Sequence, residues 1–269
     1  MTSILETHSL CQRFGEVTAV RDLSISVDAG EAFGLLGPNG AGKSTAIKML
    51  TTLLPPTAGT ASIGGYDVQR NANDVRRIIG YVPQMLSADG NLTGYENLLL
   101  FSKLYGLRKD IRERRIADAL EIMDLTGAAN RLVNTYSGGM LRRVEIAQAM
   151  IHRPRVLFLD EPTVGLDPIA RESVWQQVDR LRLDYGMTVI MTTHYMEEAD
   201  QLCDRIAIMH RGSVVAVGTS DELKTSTGIV DANLDDVFVH YAGQTLIEGE
   251  GKGDFREATR SRRAALRRG

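Results

Sequence analysis

The chain has little cysteine: of its 269 residues only Cys11 and Cys203 carry thiols, far apart and in no metal-ligand spacing. That argues against a disulfide framework and fits a reducing, cytosolic setting. An excess of one charge is also missing, because 31 Lys and Arg against 34 Asp and Glu leave a net charge of -3. No global electrostatic case for nucleic acid arises, and none is expected as a partner. Long apolar runs are absent too, since charges, glycines and prolines interrupt every stretch short of the roughly 18 residues that a membrane helix needs. The N-terminus, Met1 to Glu6, has no basic segment followed by an apolar one, so no secretory signal is expected. Membrane association would have to come through a partner or surface contact.

What is present is an ordinary globular composition, 43% hydrophobic and 24% charged, long enough for one large or two modest units at about 100–200 residues per domain. Leu23 to Val27 alternates with period two, and Ala32 to Leu36 is a short apolar run ending in glycine-rich sequence, so the first third reads as strands. Between about residues 93 and 150 the period becomes helical. Thr93 and Glu96 fit a capping box, followed by the stripes Leu98, Phe101, Leu104, Tyr105 and Ile116, Ala119, Leu120, Met123. Strands return at Arg155 to Leu159 and Met187 to Met191, with a helical candidate from Arg171 to Leu183 between them. This is the β-α-β alternation of a parallel sheet. Ile206 to His210, a tight turn at Arg211 and Gly212, and Ser213 to Val217 form a candidate hairpin. From Lys252 to Gly269 arginines dominate, which suits a solvated tail or contact with anionic headgroups.

The segment Gly37, Pro38, Asn39, Gly40, Ala41, Gly42, Lys43, Ser44, Thr45 fits G-x-x-x-x-G-K-[ST], after an apolar strand and before helical periodicity. Glycines there let successive backbone N–H groups converge on a phosphate, Lys43 would neutralise it, and the Ser44 hydroxyl suits Mg²⁺. Beside a bare glycine turn, a second carboxylate-bearing strand weighs for the phosphate site. Val156 to Pro162 supplies Asp160, placed to hold Mg²⁺, and Glu161, placed to polarise a water. His194 ends another strand, at the edge where ligands collect in open α/β sheets. A lone histidine there is usually structural; in this company it points to the γ-phosphate. Gln84, after Gly80, Tyr81, Val82 and Pro83, could touch Mg²⁺ or the water, a weak signal alone.

Tyr136, Ser137, Gly138, Gly139 and Met140 place two glycines at a helix start, at a cost of about 1 kcal/mol each relative to alanine. A helix N-terminus exposes unpaired N–H groups and partial positive charge, which favour an anion.

Taken in order, the phosphate loop, Gln84, Ser137-Gly138-Gly139, Asp160-Glu161, Gly165 to Pro168 and His194 resemble the nucleotide-binding subunit of ABC transporters over about residues 4–220. Ser137 to Met140 with Arg142 and Arg143, and Asn233 to Val239, resemble the drug-resistance type of exporter ATPase. The resemblance implies an α/β P-loop NTPase (RecA-like) fold: a mixed core sheet, an N-terminal antiparallel β-subdomain and an inserted α-helical subdomain. It implies an ABC ATPase domain over 1–235, with catalytic core about 1–84 and 150–220 and helical subdomain about 85–149, then an extension over 236–269. It implies ATP and Mg²⁺ as ligands. Phe14 stacks on adenine, residues 37–45 bind phosphates, and Ser44, Gln84 and Asp160 serve the metal. Gln84 also senses the γ-phosphate, Glu161 is the base and His194 the switch. Ser137, Gly138, Gly139 and Asp167 act across a head-to-tail dimer, since the chain already cradles its own phosphates. The partners implied are a membrane permease and a second ATPase subunit, with the chain peripheral on the cytoplasmic face of the membrane. Met140 departs from the family's commoner glutamine and marks a subfamily.

Three other readings stand beside an ATPase that drives export through a separate permease: an ABC-class ATPase for DNA repair or chromosome handling, an importer ATPase, and a non-hydrolysing regulatory module. The first usually carries long coiled coils, and no sustained heptad run occurs here. The last is disfavoured by Glu161 and His194 together.

Overall fold

Uninterrupted apolar runs suit parallel strands covered on both faces, and here they occupy the middle of the sheet. The computed structural model describes residues 3–249; the arginine-rich tail lies outside the described residues. The chain opens with β1 (Ser3–Phe14), β2 (Val17–Leu23), β3 (Ser26–Asp28) and β4 (Ala32–Leu36), then α1 (Lys43–Leu50), β5 (Ala58–Ile63), β6 (Tyr66–Asp67), α2 (Ala72–Ile78) and β7 (Ile79–Val82). Helices α3 (Gly94–Leu104), α4 (Lys109–Ile122) and α5 (Gly138–Met150) follow. The chain continues through β8 (Val156–Asp160), α6 (Pro168–Tyr185), β9 (Thr188–Thr193), α7 (Met196–Leu202), β10 (Arg205–His210), β11 (Ser213–Gly218), α8 (Ser220–Ser226) and α9 (Leu234–Gly249).

The sheet order is β6-β5-β1-β2-β11-β10-β4-β9-β8-β7, with β3 on β1. From β10 to β7 every neighbouring pair is parallel. Their C-terminal ends therefore share one edge, and β4, β8 and β9 deliver Gly37, Asp160 and His194 to it. β1, β2, β3, β5 and β6 pair antiparallel and make the N-terminal subdomain. Alternate side chains of the central strands feed opposite faces: Leu157 and Leu159 join the cluster with Trp175, whereas Val156 and Phe158 join the one with Ile47 and Met49.

Two sequence expectations change. The Leu23–Val27 run is broken, because Ile25 leaves the ladder and exchanges bonds with Thr7: Thr7 N donates to its carbonyl at 2.9 Å and Ile25 N donates to the Thr7 hydroxyl at 2.9 Å. The α3 stripe stops early: Leu98 is fully buried but Leu104 is 72% exposed. The helix ends there, and Tyr105, its C-cap, stacks on His152 with ring centroids 3.8 Å apart. The capping box is present, and Ile116, Ala119, Leu120 and Met123 are all buried. The hairpin β10–β11 also forms, with Arg211 and Gly212 at φ 47° and 83°, the left-handed pair that a twisted two-residue turn needs. Leu234 and Val237 bring the start of α9 into the main core. Cys203 is buried against Gly34, where an added Cβ would lie 2.7 Å from its sulfur, and burial pushes its thiol pKa far up. Among the described residues no helix is long and apolar enough to cross a membrane.

Candidate functional site

The loop between β4 and α1 is shaped by close backbone approach. A Cβ on Gly37 would meet the Met209 carbonyl oxygen at 2.4 Å; Gly42 stands at φ 103°, where a Cβ would meet the Ala19 oxygen at 2.5 Å. Only glycine fits both places. Pro38, Asn39 and Gly40 are exposed at the mouth, while Ala41 is buried and its carbonyl accepts from Gly212 N at 3.0 Å. Gly42 caps α1, so the N–H groups of Lys43, Ser44 and Thr45 begin a helix without intrahelical partners.

Lys43 curls back into the loop, its Nζ donating to the carbonyls of Gly37 at 2.8 Å and Pro38 at 3.2 Å. The same nitrogen is 3.2 Å from Glu161 Oε1. Glu161 is 5% exposed and follows β8 directly. Its backbone is left-handed, φ 48°, a conformation costly for a residue with a Cβ. Thr192 holds it there, accepting from Glu161 N at its hydroxyl (2.9 Å) and carbonyl (3.2 Å). The other carboxylate oxygen, Oε2, accepts from Gln84 Nε2 at 3.2 Å and lies 3.3 Å from His194 Nδ1. Lys43, Gln84 and His194 thus converge on the Glu161 carboxylate. Beside them Asp160 Oδ1 accepts the Ser44 hydroxyl at 3.0 Å and the Thr192 hydroxyl at 2.6 Å. Burial first, and the Asp160 charge second, push the Tyr81 phenol up to about 12.

Thr192 was not singled out from the sequence, nor was a second network one residue on. Glu198, 4% exposed, accepts the Thr193 hydroxyl at 2.8 Å and the Thr163 hydroxyl, and lies 3.4 Å from Arg171 Nε. It joins the end of β9 to the loop that runs from Glu161 to Asp167. Two threonines closing an apolar strand were the available signal.

The remaining expected residues stand elsewhere. Ser137 caps α5, its hydroxyl accepting from Met140 N at 3.3 Å, and Ser137 and Gly138 are exposed. Gly139 is packed, since a Cβ there would meet the Ala170 Cβ at 2.9 Å. Asp167 caps α6 by accepting from Ala170 N at 2.9 Å. Among the described residues no hydrogen bond or ion pair links Ser137 or Asp167 to the Lys43–Glu161 cluster. Phe14, at the end of β1, is 50% exposed.

Comparison with known proteins gives the same reading. Residues 20–164 match the ABC transporter family. The chain is 45% identical to the daunorubicin/doxorubicin resistance ATP-binding protein of Streptomyces peucetius, over 93% of this chain and 76% of that one. It is 43% identical to the linearmycin resistance ATP-binding protein of Bacillus subtilis, over 84% and 72%. Among solved structures, an ATP-binding subunit of an ABC transporter superposes with a TM-score of 0.79 at 32% identity, covering 88% of this chain and 99% of that one. A dimeric ATP-binding cassette in a post-hydrolysis state, bound to ADP and Pi, gives 0.70 at 28% identity, over 80% and 98%.

Proposed function

The chain belongs to the ABC transporter family, as an ATP-binding subunit and ATPase, and we propose that it drives export through a separate membrane permease by closing and opening a head-to-tail dimer around ATP. The observation that carries the catalytic reading is the meeting of Lys43, Gln84 and His194 on Glu161. Phosphate in the loop competes for Lys43. Lys43, drawn to the new anion, releases the Glu161 carboxylate, which then accepts the proton of the attacking water. His194 and Gln84, already within hydrogen-bond reach of that carboxylate, orient the water and contact the terminal phosphate. Phe14 offers its exposed face to the adenine ring.

Mg²⁺ fits this donor set. Ser44 Oγ and Asp160 Oδ1 already face each other at 3.0 Å, and hydroxyl, carboxylate and amide oxygens are the ligands that ion prefers. Ser44, Asp160 and Gln84 would hold it, and it would neutralise charge on the β- and γ-phosphates.

Ser137 and Gly138 are exposed at the start of α5, and a helix N-terminus favours an anion, so we assign them, with Gly139 and Asp167, to the nucleotide of the facing subunit. The permease would dock on the apolar surface after Gln84 and on α3, where Met85 is 83%, Leu86 58% and Leu104 72% exposed. That contact would place the chain on the cytoplasmic face of the membrane. We divide the chain into the ATPase domain, with helical insert 85–149, and an extension from 236, although Val237 still packs into the main core. Export is favoured by the two relatives named for daunorubicin/doxorubicin resistance and linearmycin resistance. Co-purification from membranes, followed by ATP-driven uptake into inverted vesicles, tests it; accumulation outside the vesicles would reverse the direction.

A further inference from the structure

Helix α5 carries a polar stripe on its inner side. Arg142, Glu145 and Gln148 recur every third residue and are 3%, 2% and 2% exposed. Such residues are rarely buried unless paired; Arg142 and Glu145 bond directly to the segment that leads away from Gln84, and Gln148 reaches it through Asn97. Arg142 Nη1 donates to the Pro83 carbonyl at 2.8 Å and Nη2 to the Gln84 carbonyl at 3.1 Å. Glu145 Oε1 accepts from the Ser87 backbone N–H and, at 3.1 Å, from its hydroxyl. Between them, Glu145 Oε2 is 3.1 Å from Arg142 Nη1. One turn on, Gln148 Nε2 donates to Asn97 Oδ1 at 2.9 Å, and Asn97 holds Asp89 from both sides, accepting from its N–H at 3.0 Å and donating to its carbonyl at 2.9 Å.

The stretch from Pro83 to Asp89 is therefore held along its length: α5 grips Pro83, Gln84 and Ser87 directly, and Asn97 of α3, itself bonded to Gln148, holds Asp89. Met85 and Leu86, in its middle, point to solvent. Burial lowers the pKa of Arg142, opposed by the charges of Glu145 and Asp160, and the guanidinium stays ionised, as arginine does in proteins. Replacing a buried ion pair by apolar residues of equal volume is often neutral or stabilising, so stability alone does not account for this one. A positioning task is legible in the geometry. Gln84 presents its side chain to Glu161 while its carbonyl is held by Arg142, and Arg142 is about 7–8 Å along the helix axis from Ser137.

We propose that the Arg142–Glu145 pair is a positioning clamp: it fixes where the Gln84 amide stands at Glu161 and carries any displacement of the Gln84 segment to the Ser137-Gly138-Gly139 end of the same helix. This rests on the reading of Gln84 as a group that acts at Glu161. Neither residue touches nucleotide; both act through Gln84.

The test is a double-mutant cycle on ATPase turnover by the full-length chain. Arg142→Met with Glu145→Leu removes both charges together and so strands neither. The expected result is a fall in kcat of about tenfold with KM for ATP and thermal midpoint little changed, and a further change under about twofold when the pair is introduced into Gln84→Ala. Equal losses in both backgrounds, or a loss of kcat that only follows loss of folded protein, would overturn the clamp while leaving Gln84 in its role. Gln84→Ala turning over like wild type would overturn the Gln84 reading and the clamp with it. Glu145→Gln keeps the Ser87 bonds and the side-chain volume; if the paired variant does not fold, this single change must lower kcat with Gln84 present and not with Gln84→Ala, and additive losses again overturn the proposal.

Discussion

Lys43 and Glu161 stand 3.2 Å apart with 4% and 6% of their side chains exposed, each the buried counter-ion of the other. The pair explains how a base is kept in place before substrate arrives, and why removing Lys43 would strand a desolvated carboxylate. Glu161→Gln keeps the shape and leaves Lys43 its two carbonyl partners. Turnover is expected to fall by about a hundredfold to ten-thousandfold, with ATP still bound and dimers accumulating on a sizing column. Hydrolysis at wild-type speed in that variant would remove Glu161 from the role of base.

Ser44 and Asp160 provide a separate handle on the metal. In Ser44→Ala the Asp160 carboxylate keeps its 2.6 Å bond from Thr192, so the site should fold. The Mg²⁺ concentration needed for half-maximal nucleotide binding should rise about tenfold or more, read by titrating the ion against a fluorescent nucleotide. An unchanged Mg²⁺ requirement would take Ser44 out of the metal site.

The two glycines of α5 separate by experiment. A Cβ on Gly138 would meet only the tip of Leu166 at 3.3 Å, whereas one on Gly139 would press on Ala170 at 2.9 Å. A carboxylate at 139 thus confounds repulsion with a clash inside the chain. Gly138→Asp should abolish turnover while the monomer binds ATP normally and melts close to wild type. Gly139→Ala should lower the melting temperature, by an amount equivalent to about 1–3 kcal/mol. Full turnover in Gly138→Asp would sink the cross-subunit assignment.

His152 is expected to make the fold acid-sensitive. Burial, with Arg115 nearby, lowers its pKa from 6.5 to about 4, against a favourable hydrogen bond from Nε2 to the Ile79 carbonyl at 2.9 Å. The unfolded chain takes up this proton near 6.5 and the folded one only near 4, so stability is complete above the upper value and declines as pH falls through the window. The slope attributable to one such group is at most about 1.4 kcal/mol per pH unit. His152→Phe keeps a ring against Tyr105 and should flatten the difference between urea midpoints at about pH 7 and about pH 5. An identical pH profile in both proteins would assign the acid sensitivity elsewhere.

What sequence alone makes legible follows from how locally each feature is encoded. The phosphate loop is contiguous and its glycines are demanded by geometry within a few residues, so its pattern can be recognised without coordinates. Gln84, Glu161 and His194 were each visible as polar residues closing a strand, and parallel pairing brings such ends to one edge. That Gln84 and His194 meet Lys43 on the Glu161 carboxylate depends on the order β4-β9-β8-β7, which no local signal states. Arg142 and Glu145 stayed hidden for a different reason: polar residues three apart on a helix look like a solvated face. Only the return path of Pro83 to Ser87 beneath α5 turns them inward. Glu198 likewise passes for a first-turn acid of α7, and Leu104 passes for core because periodicity does not say where a helix stops.

The sulfur packed against Gly34 has a practical side. Cys203 is buried and Cys11 is partly exposed, so an alkylating reagent meets two thiols of very different accessibility. Cys11 reacts from the native state, but Cys203 must wait until β4 and the end of α7 part. Once Cys11 is replaced by serine, the speed at which reagent is consumed becomes a clock for the opening of the sheet's centre, with no added label and no change at the ATP site.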